Sequence, residues 1–429
     1  MGNELKNEWS IAEKVLFRFV FAYVFVYCFA FPIYFFPFGG NVIHPIGNQL
    51  QNFALWIGKN LFGILGEIST DETGSGDALI YWLLWISKLI IALTVTLIWS
   101  VFDWKRKSYS FLGRLLITYT RYFVGMIIFS YGLAKAIPTQ FIEPSYTQLM
   151  RTYGESSPMN LLWTFMGYST PYQIFGGIME ILAAVLLLFR RTVLLGALIM
   201  ITVMTNVVAI NFAFDVPVKL ASSHYLLFSI GLALIFRKNI LDMFILQKPS
   251  QPVVLKPLFQ NKIAFIVSQV FKVLILGYFL YSTYSNSSGY QKIMAEQSSV
   301  SPIAGIYQVK TLLDSLADSR GSNSKTAKIK RIIFDNLSPE RVTITFEDES
   351  KLRYLAEFDK EAQKVKAVLP ADNTNRFEFS YKYDEMGILF LKGTLNEDSL
   401  SLQLNRLETD SLLLVKRKFQ WVSPVPFNR

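Results

Sequence analysis

The stretch ALIYWLLWISKLIIALTVTLIWSVF, residues 78–102, decides the class of the fold, because it holds a single charged residue, Lys88, in 25 positions. A helix of roughly 20 apolar residues is long enough to cross the hydrocarbon core of a membrane, so this stretch is predicted to span one. Residues 46–66 are apolar but are interrupted by Lys59 and by Gly58, Gly63 and Gly66, which favours an interfacial or re-entrant helix. Six further apolar runs are predicted to span the membrane, at about 15–36, 115–137, 171–189, 192–212, 218–236 and 263–283.

The composition of the chain agrees with a membrane protein. Its 429 residues are 52% hydrophobic and only 17% charged, which is too apolar for a soluble protein of this size. The net charge of +10 comes mostly from residues 1–283, so it belongs to membrane loops and excludes a nucleic-acid partner. A single cysteine, Cys28, excludes a disulfide within the chain, and two histidines leave little room for a haem or zinc site, so no metal is predicted.

Basic residues alternate between the two sides of the predicted spans. Because short loops rich in Lys and Arg stay in the cytoplasm, the N-terminus is predicted to be cytoplasmic and the region after 284 periplasmic, in a multi-pass protein of the bacterial inner membrane. The basic connections are those that hold Lys6, Lys14, Lys105, Arg106, Lys107, Arg114, Arg190, Arg191, Arg237, Lys238, Lys248, Lys256 and Lys262.

The C-terminal part changes to a period-two pattern after a Ser/Asn/Gln-rich stretch, 284–301, that is typical of a linker. Residues 341–346, RVTITF, alternate polar and apolar side chains, as half-buried antiparallel strands do. Eight or nine such strands indicate an all-β domain, either a small barrel or a sandwich, that binds a partner or caps the membrane part. The other predicted strands are 304–312, 328–335, 351–358, 363–369, 376–381, 387–393, 399–404 and 411–418.

Three ionisable residues fall near the middle of predicted spans: Lys88, Glu180 and Lys272. Each lies roughly 14–16 Å from the outer end of its span at about 1.5 Å per residue. Charges within a membrane are costly and mark functional sites, so Glu180 is predicted to pair with Lys88 or Lys272. The alternative is that the lysines extend to the interface and Glu180 is protonated.

A second group of polar residues lies nearer the predicted outer face. Together with Glu180, these residues are predicted to line a ligand-binding cavity that opens to the outside and descends to Glu180. A carboxylate and an imidazole at its two ends could relay protons. The group consists of Lys135, Asn206, Asn211, Asp215, Lys219 and His224.

Several motifs in this order resemble the DoxX-like membrane family, in the long Bacteroidetes-type form with a C-terminal β-rich domain. They include Tyr131-Gly132-Leu133-Ala134-Lys135, Gly176-Gly177-Ile178-Met179-Glu180, the stretch 206–219, GSGDA at 74–78, SPMNLLWTFMG at 157–167 and FQWVSPVPFNR at 419–429. The resemblance implies a four-helix core over 115–240, and it implies a link to membrane redox systems. Members of the wider group include a subunit of a thiosulfate:quinone oxidoreductase, and the helical superfamily is similar to the vitamin K-dependent carboxylases.

The sequence therefore supports three hypotheses and does not decide whether the chain is an enzyme. The first is a redox-linked protein that binds a quinone or other lipophilic ligand, working with a redox partner because no cysteine pair is present. The second is a transporter, and the third is a non-enzymatic scaffold or assembly factor for envelope partners. The predicted domains are 1–114, with two spans and the interfacial helix; 115–240, the core; 241–301, with the seventh span; and 302–429, the β-rich domain.

Overall fold

The computed structural model describes residues 8–71, 73–298, 301–312, 329–370, 372–396, 398–417 and 420–426. The chain divides into two compact units. A helical unit comprises Met1–Ile142 and Ser157–Ser288, and a β unit comprises Glu143–Ser156 and Gly289–Arg429. The segment Glu143–Ser156 therefore belongs to the β unit, although it lies between two helical stretches in the sequence.

The helices follow the apolar runs of the sequence. Their bounds are α1 Ile11–Tyr27, α2 Gly39–Asn60, α3 Leu79–Phe102, α4 Ser110–Ala136, α5 Tyr146–Leu149, α6 Pro158–Tyr168, α7 Thr170–Leu188, α8 Val193–Ala213, α9 Lys219–Leu234, α10 Arg237–Ile240 and α11 Lys262–Ser298. A short 3₁₀ turn, Ile33–Phe35, follows α1, and another, Tyr153–Glu155, precedes α6. A π-helical turn, Leu241–Ile245, follows α10.

Five of the described helices, α3, α4, α7, α8 and α11, are long and apolar enough to cross a membrane, which confirms five of the seven predicted spans. The predicted span 218–236 corresponds to α9, which has 16 residues and is too short to count as a span by itself. It is long enough only together with Arg237–Ile245, which is bent by 79° relative to it. The first predicted span is a helix of 17 residues, α1. At about 1.5 Å per residue it is roughly 26 Å long, less than the roughly 30 Å of a hydrocarbon core.

The predicted linker at 284–301 was wrong, because α11 continues as far as Ser298. Serine in this stretch does not interrupt the helix. The hydroxyl of Ser288 donates to the carbonyl oxygen of Tyr284 one turn back at 2.9 Å, a bond compatible with helical backbone. Only a few residues therefore separate α11 from the first β-strand.

The core of the helical unit is built from α4, α7, α8 and α9 together with buried residues of α1, α3 and α11, such as Val24, Ala92 and Phe279. The predicted four-helix core over 115–240 stays a prediction. The closest pair is α4 and α7, which meet at Gly132 and Gly177. A Cβ atom at Gly132 would lie 2.8 Å from the carbonyl oxygen of Gly177, a distance too short for any side chain. Small residues at this crossing let the two backbones touch.

The β unit contains a closed, eight-stranded antiparallel barrel in which each strand pairs with the next and β8 pairs with β1. The prediction of a barrel or sandwich is thus confirmed as a barrel. The strands are β1 Gly305–Leu312, β2 Ile329–Phe334, β3 Arg341–Phe346, β4 Lys351–Asp359, β5 Lys364–Leu369, β6 Asp372–Tyr383, β7 Leu389–Leu395 and β8 Asp398–Arg406. Large side chains such as Phe334, Tyr354 and Phe379 point inward and fill its interior.

The predicted ninth strand, 411–418, was wrong. Thr409–Ser411 form a 3₁₀ turn, and Leu413–Lys416 form a short helix, α12. Because β8 closes onto β1, the barrel offers no free edge to a ninth strand. The segment forms its backbone hydrogen bonds locally instead, such as that from Lys416 N to the Leu412 carbonyl at 2.8 Å.

Candidate functional site

Glu180 forms a buried ion pair with Lys135, so the predicted pairing of Glu180 with Lys88 or Lys272 was wrong. The Nζ atom of Lys135 donates to both carboxylate oxygens of Glu180, at 2.7 and 2.8 Å. The two side chains are 11% and 4% exposed. Lys135 is the partner because α4 and α7 cross closely at Gly132 and Gly177. Each charged residue lies about one helical turn after one of these glycines, so the two side chains face each other.

Lys88 and Lys272 are satisfied separately, and neither has a carboxylate partner among the described residues. Lys88 Nζ lies 3.3 Å from the carbonyl oxygen of Tyr27 and 5.0 Å from the centre of the Tyr27 ring. Lys272 Nζ lies 3.3 Å from the carbonyl oxygen of Leu188 and 5.3 Å from the ring centre of Phe189. Carbonyl dipoles and aromatic faces therefore replace the ion pair that the sequence suggested.

Asp215 and Lys219 do meet, and a third residue that the sequence reasoning missed, Asp77, joins them. Lys219 Nζ lies 2.7 Å from Asp215 and 3.8 Å from Asp77. The Asp77 carboxylate also accepts from the backbone N–H groups of Lys219 at 2.8 Å and Leu220 at 3.0 Å, so it caps the first turn of α9. Asp77 lies in the GSGDA motif at 74–78, but the motif did not indicate that Asp77 contacts Lys219.

His224 is buried in a chain of intramolecular hydrogen bonds. Its Nδ1 atom lies 2.7 Å from the carbonyl oxygen of Leu220, which can only accept, so Nδ1 carries a proton. The hydroxyl of Tyr23 lies 2.5 Å from Nε2 and itself accepts from Trp85 Nε1 at 2.9 Å. Both ring nitrogens of His224 are thus engaged within the protein.

The two asparagines of the predicted site lie apart from each other. Asn211 is buried and donates to the hydroxyl of Ser222 at 3.0 Å. Asn206 is exposed on the surface of α8. Apart from Asn206, the predicted site residues lie in small hydrogen-bonded groups. These are the Lys135–Glu180 pair, the group around Lys219, which Ser222 links to Asn211, and the chain through His224.

A large cavity of the helical unit lies beside the N-terminal half of α4, away from Glu180. The cavity predicted to descend to Glu180 stays a prediction. The observed cavity has a volume of about 920 Å³ and is lined mainly by apolar side chains. The walls come from α4, the α7–α8 connection, residues 254–259 and α11. The lining cations are Arg121, Arg190, Arg191 and Lys272.

Arg121 is the most buried of the four cations, with 2% of its surface exposed. Its Nε atom donates to the carbonyl oxygen of Leu187 at 2.9 Å. Among the described residues, its Nη2 atom has no hydrogen-bond partner, although the atom is buried. The cavity beside Arg121 could not be predicted from α4 alone, because part of its wall comes from the distant α11.

The apolar helices and the closed barrel define a multi-pass membrane protein with a separate β-barrel domain. No family model and no solved structure matches the chain. The chain is 38% identical over 124 residues to the uncharacterized protein YwoB of Bacillus subtilis (strain 168). This match covers 79% of YwoB and 29% of the present chain, and the chain belongs to the family of YwoB.

Proposed function

We propose that this chain is a multi-pass protein of the bacterial inner membrane that binds a lipophilic ligand, a quinone or another membrane lipid, in its helical unit. The observation that carries the proposal is the cavity beside Arg121. Its volume of about 920 Å³ lies within the range of small-molecule sites, and its walls are mostly apolar with a few polar groups.

The orientation follows from the basic connections. Arg190 and Arg191 line the cavity, and loops of this kind stay on the cytoplasmic side. The ligand site then lies in the cytoplasmic half of the bundle, with the N-terminus in the cytoplasm and the barrel in the periplasm. A redox role, as the DoxX-like resemblance implies, would draw electrons from a partner or from the ligand itself, since Cys28 is the single cysteine of the sequence.

A scaffold for envelope partners is a second candidate, and one observation favours it. Among the described residues, the interior of the barrel is filled by its own side chains, which leaves its surface for interactions. That surface already holds a segment from a distant part of the sequence, Glu143–Ser156. Asp335 of the barrel accepts from the Ser145 hydroxyl at 3.0 Å and from Thr147 N at 3.1 Å.

Extraction and identification of co-purifying lipids tests the first proposal. The full chain is purified in a neutral detergent, washed, extracted with organic solvent and examined by mass spectrometry. We expect a defined lipid class at close to one molecule per chain. A preparation that carries no lipid beyond the level of an unrelated membrane protein purified in parallel would contradict the proposal. Deleting 290–429 addresses the scaffold, because a scaffold would lose its partners while the helical unit kept its lipid.

A further inference from the structure

The cavity has an unbalanced charge. Four cations line it, from three separate stretches of the chain: Arg121 on α4, Arg190 and Arg191 after α7, and Lys272 on α11. None of its lining residues is an aspartate or a glutamate. Elsewhere in the helical unit, Lys135 and Lys219 are paired with carboxylates. Among the described residues, the cavity therefore gathers four cations, one of them buried, with no aspartate or glutamate in its lining.

Arg190 and Lys272 of this group are held by neutral groups. Arg190 Nη1 lies 3.3 Å from the carbonyl oxygen of Leu255, and its guanidinium carbon lies 5.8 Å from the ring centre of Phe265. Lys272 has the carbonyl and aromatic contacts described above. Among the described residues, none of the four cations has a carboxylate oxygen within 4.0 Å.

Arg121 supplies the second, independent observation. A buried guanidinium nitrogen without a hydrogen-bond partner is unfavourable, because its desolvation is not offset. Nη2 of Arg121 is such an atom among the described residues, and its side chain lines the cavity. An anion in the cavity would satisfy this nitrogen and balance the surrounding charge. Guanidinium groups suit oxyanions well, since their planar donors match two oxygens of a phosphate.

We infer that the cavity binds an amphiphile with an anionic, phosphate-bearing headgroup. This inference rests on the proposed function and names the class of its ligand. The phosphate oxygens accept hydrogen bonds from Arg121 and its neighbouring cations, and the hydrocarbon chains lie along apolar side chains such as Leu115, Met126 and Leu276. A neutral quinone could accept hydrogen bonds from Arg121 but would leave the four positive charges unbalanced.

The test compares lipid classes on the full chain reconstituted in phosphatidylcholine nanodiscs. Phosphatidylglycerol, menaquinone or inorganic phosphate is added separately, and bound lipid is measured by native mass spectrometry together with the melting temperature. A ligand that binds only the folded protein raises its melting temperature. We expect phosphatidylglycerol to be retained and to stabilise the protein, while inorganic phosphate and menaquinone at the same concentration have little effect.

The variant Arg190→Gln/Arg191→Gln/Lys272→Gln removes three of the cations. Its matched control, Arg237→Gln/Lys238→Gln, removes two exposed cations that do not line the cavity. Since a charge-assisted hydrogen bond is worth about 1.5–3 kcal/mol, we expect the triple variant to retain phosphatidylglycerol at least about tenfold less strongly. The control should retain it as the unmodified protein does. Arg121→Lys keeps the charge and should keep the preference for the anionic lipid, while Arg121→Gln should lose it if it folds.

Each other outcome overturns the inference in a distinguishable way. Equal retention of phosphatidylglycerol by the triple variant and its control would mean that the lipid binds without these cations, as an adventitious additive only. If inorganic phosphate stabilises the protein as strongly as phosphatidylglycerol does, the site binds a free anion and the hydrocarbon chains do not contribute to binding. Preferential retention of menaquinone overturns the anionic headgroup but leaves the proposed function standing. Retention of no lipid of any class overturns the proposed function as well.

Discussion

The Nζ atom of Lys135 lies within hydrogen-bond distance of both carboxylate oxygens of Glu180, at 2.7 and 2.8 Å, and the pair is almost completely buried between α4 and α7. The close approach of the two helices at Gly132 and Gly177 places these side chains opposite each other. The ion pair therefore belongs to the packing of the helical core. The α4 residues that line the cavity, from Leu115 to Met126, lie about 2.5 to 5.5 helical turns from Lys135.

Removing one partner of this pair should be strongly destabilising. Lys135→Met leaves the Glu180 carboxylate buried without a counterion, and such a change costs about 3–5 kcal/mol. Replacing both residues, as Lys135→Met/Glu180→Leu, removes both charges and should restore much of the lost stability. Thermal unfolding in detergent micelles measures both variants. If the double variant melts no higher than Lys135→Met alone, the two side chains are not coupled as described.

The two adjacent glycines of α7 provide a matched test of the helix crossing. A Cβ atom at Gly177 would lie 2.8 Å from the Ala136 backbone nitrogen, whereas one at Gly176 would meet nothing within 4 Å. Gly177→Ala should therefore lower the stability by about 1–3 kcal/mol, the usual cost of overpacking. Gly176→Ala should leave it unchanged or raise it, because alanine favours a helix. Equal melting temperatures of the two variants would contradict the observed crossing.

Glu155 gives the β unit a dependence on pH. Its carboxylate accepts a hydrogen bond from Lys351 at 2.5 Å, and this bond is the largest of the effects that lower the pKa of Glu155 to about 2. Because the folded pKa is lowered, the contact stabilises the docked segment above the ordinary pKa near 4.5 and is lost as the pH falls towards 2.

Amide hydrogen exchange of residues 143–156, corrected for the intrinsic rate at each pH, measures this dependence. Protection in the unmodified protein should fall between about pH 4.5 and 2. In Glu155→Gln, protection should be lower at neutral pH and change less across this range. Identical pH profiles for the two proteins would show that Lys351 does not hold Glu155.

Asp335 should stabilise the docking of residues 143–156 on the barrel more strongly than Glu155 does. Asp335 is only 3% exposed and accepts hydrogen bonds from Ser145 and Thr147. Asp335→Ala leaves buried donors without a partner, at about 1–3 kcal/mol for each. We expect faster exchange of 143–156 while the strands of the barrel remain protected. Asp372→Ala is the control, because among the described residues Asp372 accepts only from Thr374, in its own exposed turn. Loss of protection in the control but not in Asp335→Ala would refute this assignment.

The sequence predicted those features that depend on local pattern. Apolar runs and period-two alternation located five spans and all eight strands of the barrel, because hydropathy and alternation act within one element. The apolar run Leu412–Val415 was assigned to a strand, since a short apolar run does not distinguish a strand from a helix.

Side-chain partners were harder to predict. Distance from a helix end gives the height of Glu180 along the membrane normal but not the direction in which it points. The lysine that pairs with Glu180 is therefore set by the rotation of α7 about its axis and by the glycine crossing, which together bring Lys135 rather than Lys88 or Lys272 next to Glu180. The cavity beside Arg121 is also formed by α11 and by residues 254–259, which lie more than a hundred positions away in the sequence.

The central claim is that the cavity beside Arg121 holds a lipid. Its most direct test is native mass spectrometry of the full chain carrying Ser268→Trp, which places a bulky indole ring in the cavity from α11. The control, Val270→Trp, places the same bulk on the exposed face of that helix. We predict that the unmodified protein and Val270→Trp carry one lipid per chain and that Ser268→Trp, folded to the same extent, carries none. Equal lipid occupancy in all three proteins would contradict the claim.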